Sequence, residues 1–212
     1  MGKTKTRPRR RRGQYPPKGR LPKERVVFCV EGESEKVYIR ALVEGRYGDA
    51  VVPVFWARKR ESSLRNLIET ARRRAKSEDI GRGVWIICDT DRNDVHRTML
   101  EKWLEKDPGR CRAAVTDPCL EYWLLLHYTD SPRCASASTA REELKSYLPH
   151  YVKGRALPKV LIQETDQAVK RERVRQASAD AGGIWPGRRC SQIPDLIAWL
   201  DDLVEKRRGQ CR

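Results

Sequence analysis

Two apolar runs that each end in acidic residues constrain the fold of this chain more than any other feature. The first covers residues 26–30, mostly β-branched or aromatic, and is followed by Glu31 and Gly32. The second covers residues 84–88 and is followed by Asp89 and Asp91. Short uninterrupted apolar runs of this kind predict strands that are buried on both faces, which are typical of parallel sheets covered by helices.

The acidic residues at these strand ends form a candidate metal site. In an open α/β sheet, the carboxyl ends of the strands meet at the crevice where such folds bind ligands. Residues two apart in a strand face the same way and lie about 6–7 Å apart, so Asp89 and Asp91 can address one small volume. Together with Glu31 they offer the oxygen ligands that Mg²⁺ or Mn²⁺ prefer. The alternative is helix capping by these acids, which is the interpretation we favour for Glu33.

The remaining patterns predict a mainly parallel α/β sheet flanked by helices, with a helical C-terminal extension. Strands are expected over residues 26–30, 50–57, 83–89 and 111–115, alternating with helices from Glu33 and over residues 61–77 and 95–106. Further helices are expected over residues 119–128, 139–148 and 164–181, with loops over 131–138 and 182–190. An apolar stripe from Leu196 to Val204 predicts a final amphipathic helix.

Three motifs, taken in order, resemble those of a known family. They are Cys29-Val-Glu-Gly-Glu-Ser-Glu35, Asp89-Thr-Asp91 and Asp117-Pro-Cys-Leu-Glu-Tyr-Trp-Leu-Leu-Leu-His-Tyr128, with a looser likeness at Tyr151-Val-Lys153. The set resembles the RloB family, small Toprim-fold proteins found among bacterial phage-defence genes. The resemblance implies a Toprim-like domain over residues 24–130, with residues 131–212 as a helical extension packed on the same core. It also implies a metal-dependent nuclease that hydrolyses DNA or RNA in abortive infection.

The resemblance further implies roles for individual residues and for a partner. In the related OLD-family nucleases, the residues matching Glu31, Asp89 and Asp91 bind Mg²⁺ or Mn²⁺, and the one matching Glu35 helps to hold a second ion. Lys153 is expected to stabilise charge on the phosphate, although a solvated surface lysine is the open alternative. OLD enzymes carry a fused ATPase, whereas this sequence contains no Gly-x-x-x-x-Gly-Lys-Ser/Thr loop, so we expect a separately encoded ATPase subunit.

Glu121 stands at the start of a segment that is too apolar to be exposed. It lies three residues after Pro118, and nearly all the positions from Tyr122 to Leu126 are apolar. A buried carboxylate must be paired, protonated or metal-bound, and the neighbouring sequence offers no cation. We therefore expect Glu121 to bind the second ion or to orient its water, helped by Asp117. The alternative is a carboxylate that accepts hydrogen bonds from the free N–H groups at the helix start.

The charge balance predicts a polyanionic partner. The chain of 212 residues has a formal net charge of +16, which favours nucleic acid. Residues 1–23 contain ten Lys or Arg and no acid, and are expected to be a disordered tail. The tail is either a solubilising leader or a phosphate-binding arm. The candidate nucleic-acid-binding residues are Arg9, Arg10, Arg11 and Arg12 in this tail and Arg72 and Arg73 on the outer face of a predicted helix.

Other features of the composition limit the location and class of the protein. No apolar run reaches the eighteen or so residues that cross a bilayer, and the seven cysteines form no Cys-x-x-Cys pair, so we expect a cytoplasmic protein without a membrane partner. A non-catalytic, basic nucleic-acid-binding subunit of a defence complex is the alternative function. In that case the strand-end acids would have no catalytic role.

Overall fold

A five-stranded, mostly parallel sheet forms the centre of the protein. The computed structural model describes residues 21–56, 63–77, 81–90, 94–177 and 189–209. The strands are β1 (Glu24–Val30), β2 (Val51–Trp56), β3 (Val84–Asp89), β4 (Cys111–Asp117) and β5 (Cys190–Ser191). Their order is β2-β1-β3-β4-β5, and only β5 runs antiparallel to its neighbour.

Helices cover both faces of this sheet. They are α1 (Glu33–Tyr47), α2 (Leu64–Ser77), α3 (Asp94–Leu104), α4 (Leu120–Leu125), α5 (Ala137–Tyr147), α6 (Lys159–Gln163), α7 (Thr165–Ala177) and α8 (Ile193–Gly209). The prediction of a mainly parallel sheet flanked by helices, with a helical C-terminal part, is therefore confirmed. No described helix is long and apolar enough to cross a membrane.

Alternation along β1 explains why both faces of the sheet are covered. Val26, Phe28 and Val30 enter one apolar cluster, while Val27 and Cys29 enter a second one on the opposite face. Successive side chains of a strand point to opposite faces, so an uninterrupted apolar strand needs packing partners on both. Helices α2 and α3 supply the second cluster, whereas α1, α4, α5, α7 and α8 contribute to the first.

The predicted strands and most predicted helices are present, with ends displaced by a few residues. The helix predicted over residues 119–128 ends earlier: α4 stops at Leu125 and continues as tight turns, in which the Tyr128 N–H donates to the Leu125 carbonyl. The predicted loop over 131–138 was too long, because α5 begins at Ala137 behind a Ser136 cap.

Two short elements were not predicted. Helix α6 has five residues and buries only Leu161, too few for a periodic signal. Cys190 was assigned to a loop, which was wrong, because it pairs with Asp117 across β4 and β5. Two residues carry no pattern of their own, and this strand exists because β4 offers it an edge.

The N-terminal part of the described chain is tied to α8. Arg207 donates hydrogen bonds to the carbonyls of Leu21 and Pro22, and the Lys23 ammonium donates to the Gly48 carbonyl. Residues 1–20 of the predicted tail, including the four candidate arginines, lie outside the described residues.

Candidate functional site

The carboxyl ends of β1 and β3 bring two predicted site residues together. Val30 pairs with Ile87 in the parallel register, so Glu31 and Asp89 leave the sheet at the same edge. The backbone N–H of Asp89 donates to Glu31 Oε2 at 3.2 Å. Each side chain is partly buried. The apolar strands therefore determine the position of these acids, as the sequence predicted.

Glu35 adds a third carboxylate from the first turn of α1. The residue is buried, and its Oε2 has no hydrogen-bond partner among the described residues. A Cβ at Gly32 would lie 2.6 Å from that oxygen, so a larger residue there would displace the carboxylate from its position over the turn. Burial raises the pKa of Glu35; the charge of Lys153 opposes this rise and that of Glu121 adds to it. Among its protein neighbours, Glu35 thus has an oxygen that still lacks a partner.

Glu121 is the fourth carboxylate and is shielded from water as predicted, with 1% of its surface exposed. Its Oε1 accepts a hydrogen bond from the Tyr151 hydroxyl at 3.0 Å. In the part of the chain that the structure describes, we find no bond from this carboxylate to the N–H groups at the start of α4. The hydrogen bonds therefore do not show the capping alternative. The partners of this carboxylate are a phenol from a distant segment and the thiol of the neighbouring Cys119.

The pKa of Asp89 shows that the four carboxylates interact electrostatically. Burial, followed by the negative charges of Glu35, Glu31 and Glu121, raises the pKa of Asp89 from 3.8 to about 8. Lys153 is the cation that opposes this rise. Like charges in a poorly solvated site favour the neutral form of one member. The cluster thus has an unfavourable excess of negative charge that protons or cations relieve.

The segment that follows α5 positions Tyr151 and Lys153 against this cluster. The Gly154 N–H donates to Ser34 Oγ at 2.9 Å, which fixes the segment to the first turn of α1. Gly154 has φ +76°, in the left-handed region, and a Cβ there would lie 3.3 Å from the Glu33 Cβ. Lys153 was predicted to join the site and is within its electrostatic reach. Tyr151 was missed, although it lies in the Tyr-Val-Lys stretch of the resemblance.

Asp117 braces the edge of the site, and both of its carboxylate oxygens accept hydrogen bonds from other residues of the protein. Thr90 Oγ1 donates to its Oδ1 at 2.6 Å, and the Arg189 N–H donates to its Oδ2 at 2.7 Å. The Asp117–Pro118 peptide bond is cis. Both oxygens are thus engaged in joining β4 to the residues next to Asp89 and to β5. This arrangement favours a bracing role for Asp117 over the predicted assistance to a second ion.

His127 lies in the apolar core. Its ring packs against Tyr38 and Trp123, and Nδ1 lies 3.1 Å from the Trp123 carbonyl oxygen. Burial lowers its pKa to about 4, so the imidazole is neutral at physiological pH. These are the surroundings of a core residue.

The predicted nucleic-acid-binding arginines are not all described. Arg72 and Arg73 lie on α2, with Arg73 exposed and Arg72 partly buried. Because α2 packs on the face of the sheet opposite α1 and α4, these arginines are on the other side of the protein from Glu121. Asp91, a predicted metal ligand, lies outside the described residues.

Comparison with known proteins identifies the family of this chain. A model of RloB-like proteins matches residues 26–200, which includes every described residue of the carboxylate cluster. The chain belongs to the RloB-like family. This confirms the resemblance drawn from the three motifs. Neither the curated proteins nor the solved structures gave a match. Membership is consistent with a defence-related role.

The carboxylate oxygens of this RloB-like protein are of the chemical type that binds a divalent cation. In residues 21–209 with the gaps given above, no group of three or more His, Cys, Asp and Glu side chains is arranged to hold a metal ion. Asp91, the other predicted ligand on β3, is outside that part. Nevertheless, four carboxylates share one field, and one of them has a buried oxygen without a partner. Hard cations bind through such oxygens.

Proposed function

We propose that this RloB-like protein is a metal-dependent nuclease that hydrolyses phosphodiester bonds of DNA or RNA in anti-phage defence. The observation that carries the proposal is the excess of carboxylates at one sheet edge, where burial and then the charges of Glu35, Glu31 and Glu121 raise the pKa of Asp89 to about 8. Mutual repulsion of this kind costs stability and is common at functional sites. A purely structural cluster gains nothing from it.

The candidate ligands fall into two groups. Glu31 and Asp89, with Asp91 as predicted, would hold one Mg²⁺ or Mn²⁺ ion, while Glu35 and Glu121 would hold a second. When bound, two such ions activate water and stabilise the charge that develops during phosphoryl displacement. Glu35 Oε2 is available for this role because it is buried and lacks a described partner.

The chain's own residues prepare the site in two ways. The Tyr151 hydroxyl holds Glu121 in one orientation, which limits the freedom of a buried carboxylate. Lys153 is exposed and acts electrostatically on both Glu35 and Asp89, so its ammonium can also attract a phosphate group. The net charge of +16 favours the approach of a polyanion.

A separately encoded ATPase subunit is part of the proposal. The sequence contains no phosphate-binding loop of the Gly-x-x-x-x-Gly-Lys-Ser/Thr type, whereas OLD-type nucleases carry a fused ATPase. We infer that cleavage and phage protection are strongest with that partner present. Full protection by the isolated protein would contradict this part.

The second candidate function is a non-catalytic nucleic-acid-binding subunit. The same net charge supports it, because phosphate contacts alone give sequence-independent affinity. The two functions differ in the need for a metal and for the carboxylates. Cleavage is therefore the deciding measurement.

The experiment compares Asp89→Ala with the parent on plasmid DNA and structured RNA in Mg²⁺, Mn²⁺ or EDTA. Glu142→Ala is the matched control, because it removes a carboxylate from an exposed position on α5. We expect metal-dependent cleavage by the parent and the control, and loss of cleavage with retained binding in Asp89→Ala. Equal cleavage by Asp89→Ala would refute the catalytic assignment, and absence of cleavage in all three would favour the binding subunit.

A further inference from the structure

A basic cleft lies between α7 and the turn after α4, separate from the carboxylate cluster. Its volume is about 580 Å³, and its lining includes Ser131, Gln167, Lys170, Arg171 and Arg175. With Val174, five residues from α7 line the cleft at the spacing i, i+3, i+4, i+7 and i+8, so they share one face of that helix. The adjoining face, with Ala168 and Glu172, is buried.

The two guanidinium groups of the cleft are fixed by uncharged partners. Arg171 Nη1 donates to the Leu126 carbonyl at 2.8 Å, and Arg175 Nη1 donates to the Asp130 carbonyl at 3.2 Å. Arg175 Nε also donates to the Tyr122 hydroxyl at 3.1 Å. These bonds order both side chains and none of them is an ion pair, although the charge of Arg175 also acts on the buried Glu172. Their remaining N–H groups are available to an anion, at a reduced entropic cost of binding.

Lys170 adds a third positive charge. It is exposed and has no hydrogen-bond or ion-pair partner among the described residues. The one acidic residue in the lining, Asp130, is exposed and contributes its carbonyl to Arg175. Three cations and one carboxylate leave an excess of two positive charges around a concave surface, which is the arrangement that binds phosphate groups.

The cleft is linked to the carboxylate site through Arg189. Burial and the charge of Glu143 raise the pKa of Cys134 to about 11, while Arg189 and Arg175 both lower it, so both guanidinium groups are near that thiol. The Arg189 N–H in turn binds Asp117, which accepts the hydroxyl of Thr90 beside Asp89. Arg189 thus contacts a residue at the edge of the proposed cleavage site and acts electrostatically on the same thiol as Arg175.

We propose that this cleft binds a phosphate group of a nucleic-acid backbone and holds the strand at a point remote from the carboxylates. The proposal rests on the nucleic-acid substrate of the proposed function, but it concerns binding and does not require cleavage. The linked positive charge favours a polynucleotide over a small phosphorylated molecule, because a chain of phosphates can occupy both the cleft and the surface near Arg189.

The test inserts a negative charge with almost no change in shape. Gln167→Glu places a carboxylate three and four residues before Lys170 and Arg171, where it pairs with them. Gln163→Glu is the matched control, since it makes the same change at an exposed position that lines a different cleft. Lys170→Ala provides a second variant, because this side chain has no described contact whose loss would perturb the fold. Its control is Lys102→Ala, an exposed lysine on α3.

Binding of a fluorescent single-stranded oligonucleotide is measured by anisotropy in EDTA, so that cleavage plays no part. We expect Gln167→Glu and Lys170→Ala to raise Kd about fivefold or more and to reduce the dependence of log affinity on log salt by about 0.7 per lost contact. Both controls should bind within about twofold of the parent. Unchanged Kd and salt dependence in both cleft variants would overturn the proposal.

A parallel arm distinguishes the source of the phosphate. Inorganic phosphate and AMP are titrated into the parent and Gln167→Glu, with binding followed by calorimetry. If these small ligands lose affinity in the variant while the oligonucleotide does not, the cleft is a small-molecule site and the backbone proposal is wrong. If Asp89→Ala cleaves like the parent while Gln167→Glu still weakens oligonucleotide binding, the proposed nuclease fails and the cleft assignment stands.

Discussion

Replacing Asp89 with asparagine should make the metal-free protein more stable while removing its proposed activity. The pKa of Asp89 is raised from 3.8 to about 8 by burial and by Glu35, Glu31 and Glu121. Between about pH 4 and pH 8, the folded protein therefore keeps a proton that the unfolded chain has released. The unfolded state then binds fewer protons, so the free energy of unfolding falls as pH rises through this window.

The size of the effect follows from this window. In the unfolded chain the Asp89 carboxyl has a pKa near 4, so at pH 7 it lies about three pH units above its pKa. Keeping its proton in the folded state lowers the free energy of unfolding by about 1.4 kcal/mol per pH unit, or up to about 4 kcal/mol. Asp89 is partly exposed, so water and salt screen part of this cost, and we expect about 1–3 kcal/mol. Asparagine does not titrate and keeps the backbone N–H that donates to Glu31. Asp89→Asn should thus gain about 1–3 kcal/mol at pH 7 to 8, and the gain should vanish near about pH 4.

The assay is urea unfolding followed by tryptophan fluorescence in EDTA at several pH values between about 4.5 and 8. Glu142→Gln is the control, because it neutralises an exposed carboxylate, and it should differ little from the parent. When EDTA is replaced by Mn²⁺, the parent should gain stability by mass action and Asp89→Asn should gain less. An Asp89→Asn protein that is less stable than the parent at pH 7 to 8 without metal would refute the electrostatic reasoning. So would a difference that does not depend on pH.

Three further predictions concern Glu121, Tyr151 and the N-terminal tail. Glu121→Gln keeps an oxygen that can accept from Tyr151, so it should fold normally but lose tenfold or more in Mn²⁺ affinity or cleavage; parental cleavage across a Mn²⁺ titration would limit Glu121 to a structural role. Tyr151→Phe removes the hydroxyl that donates to a buried carboxylate and should lower the free energy of unfolding by about 1–3 kcal/mol, as measured in urea. No loss of stability would contradict the pairing. Deletion of residues 1–20 keeps the contacts of Leu21 and Pro22 with Arg207 and should reduce the salt dependence of duplex binding by about 0.9 per lost phosphate contact. An unchanged slope would show that the tail does not contact phosphates.

The part of the site that lies on the sheet could be predicted because its signals are local. Residues 26–30 and 84–88 are apolar at every position and mostly β-branched or aromatic, which is typical of strands covered on both faces. Once both strands are placed in a parallel sheet, Glu31 and Asp89 must emerge at the same edge. The same reasoning placed Glu121 near them and predicted its burial, because it follows the next strand of the sheet and precedes an apolar helix.

Tyr151 and β5 could not be predicted in this way, because their positions depend on contacts between distant segments. Tyr151 reaches Glu121 only because the Gly154 N–H binds Ser34 Oγ, across 120 residues of sequence. Cys190 joins the sheet because its neighbour Ser191 donates its N–H to Glu172, a residue on α7. Neither contact leaves a periodicity or a turn signal in the sequence.

The C-terminal half therefore does more than cover the sheet. Glu172 is fully buried and accepts hydrogen bonds from Tyr122 at 2.7 Å, from Ser191 and from Gln176, which ties α4 to β5 and α7. Tyr122 follows Glu121 directly on α4, and six residues cannot form a stable helix alone. The orientation of Glu121 consequently depends on this network on one side of α4 and on Tyr151 on the other. Because both supports come from residues after Asp130, the candidate site requires the helical extension as well as the sheet.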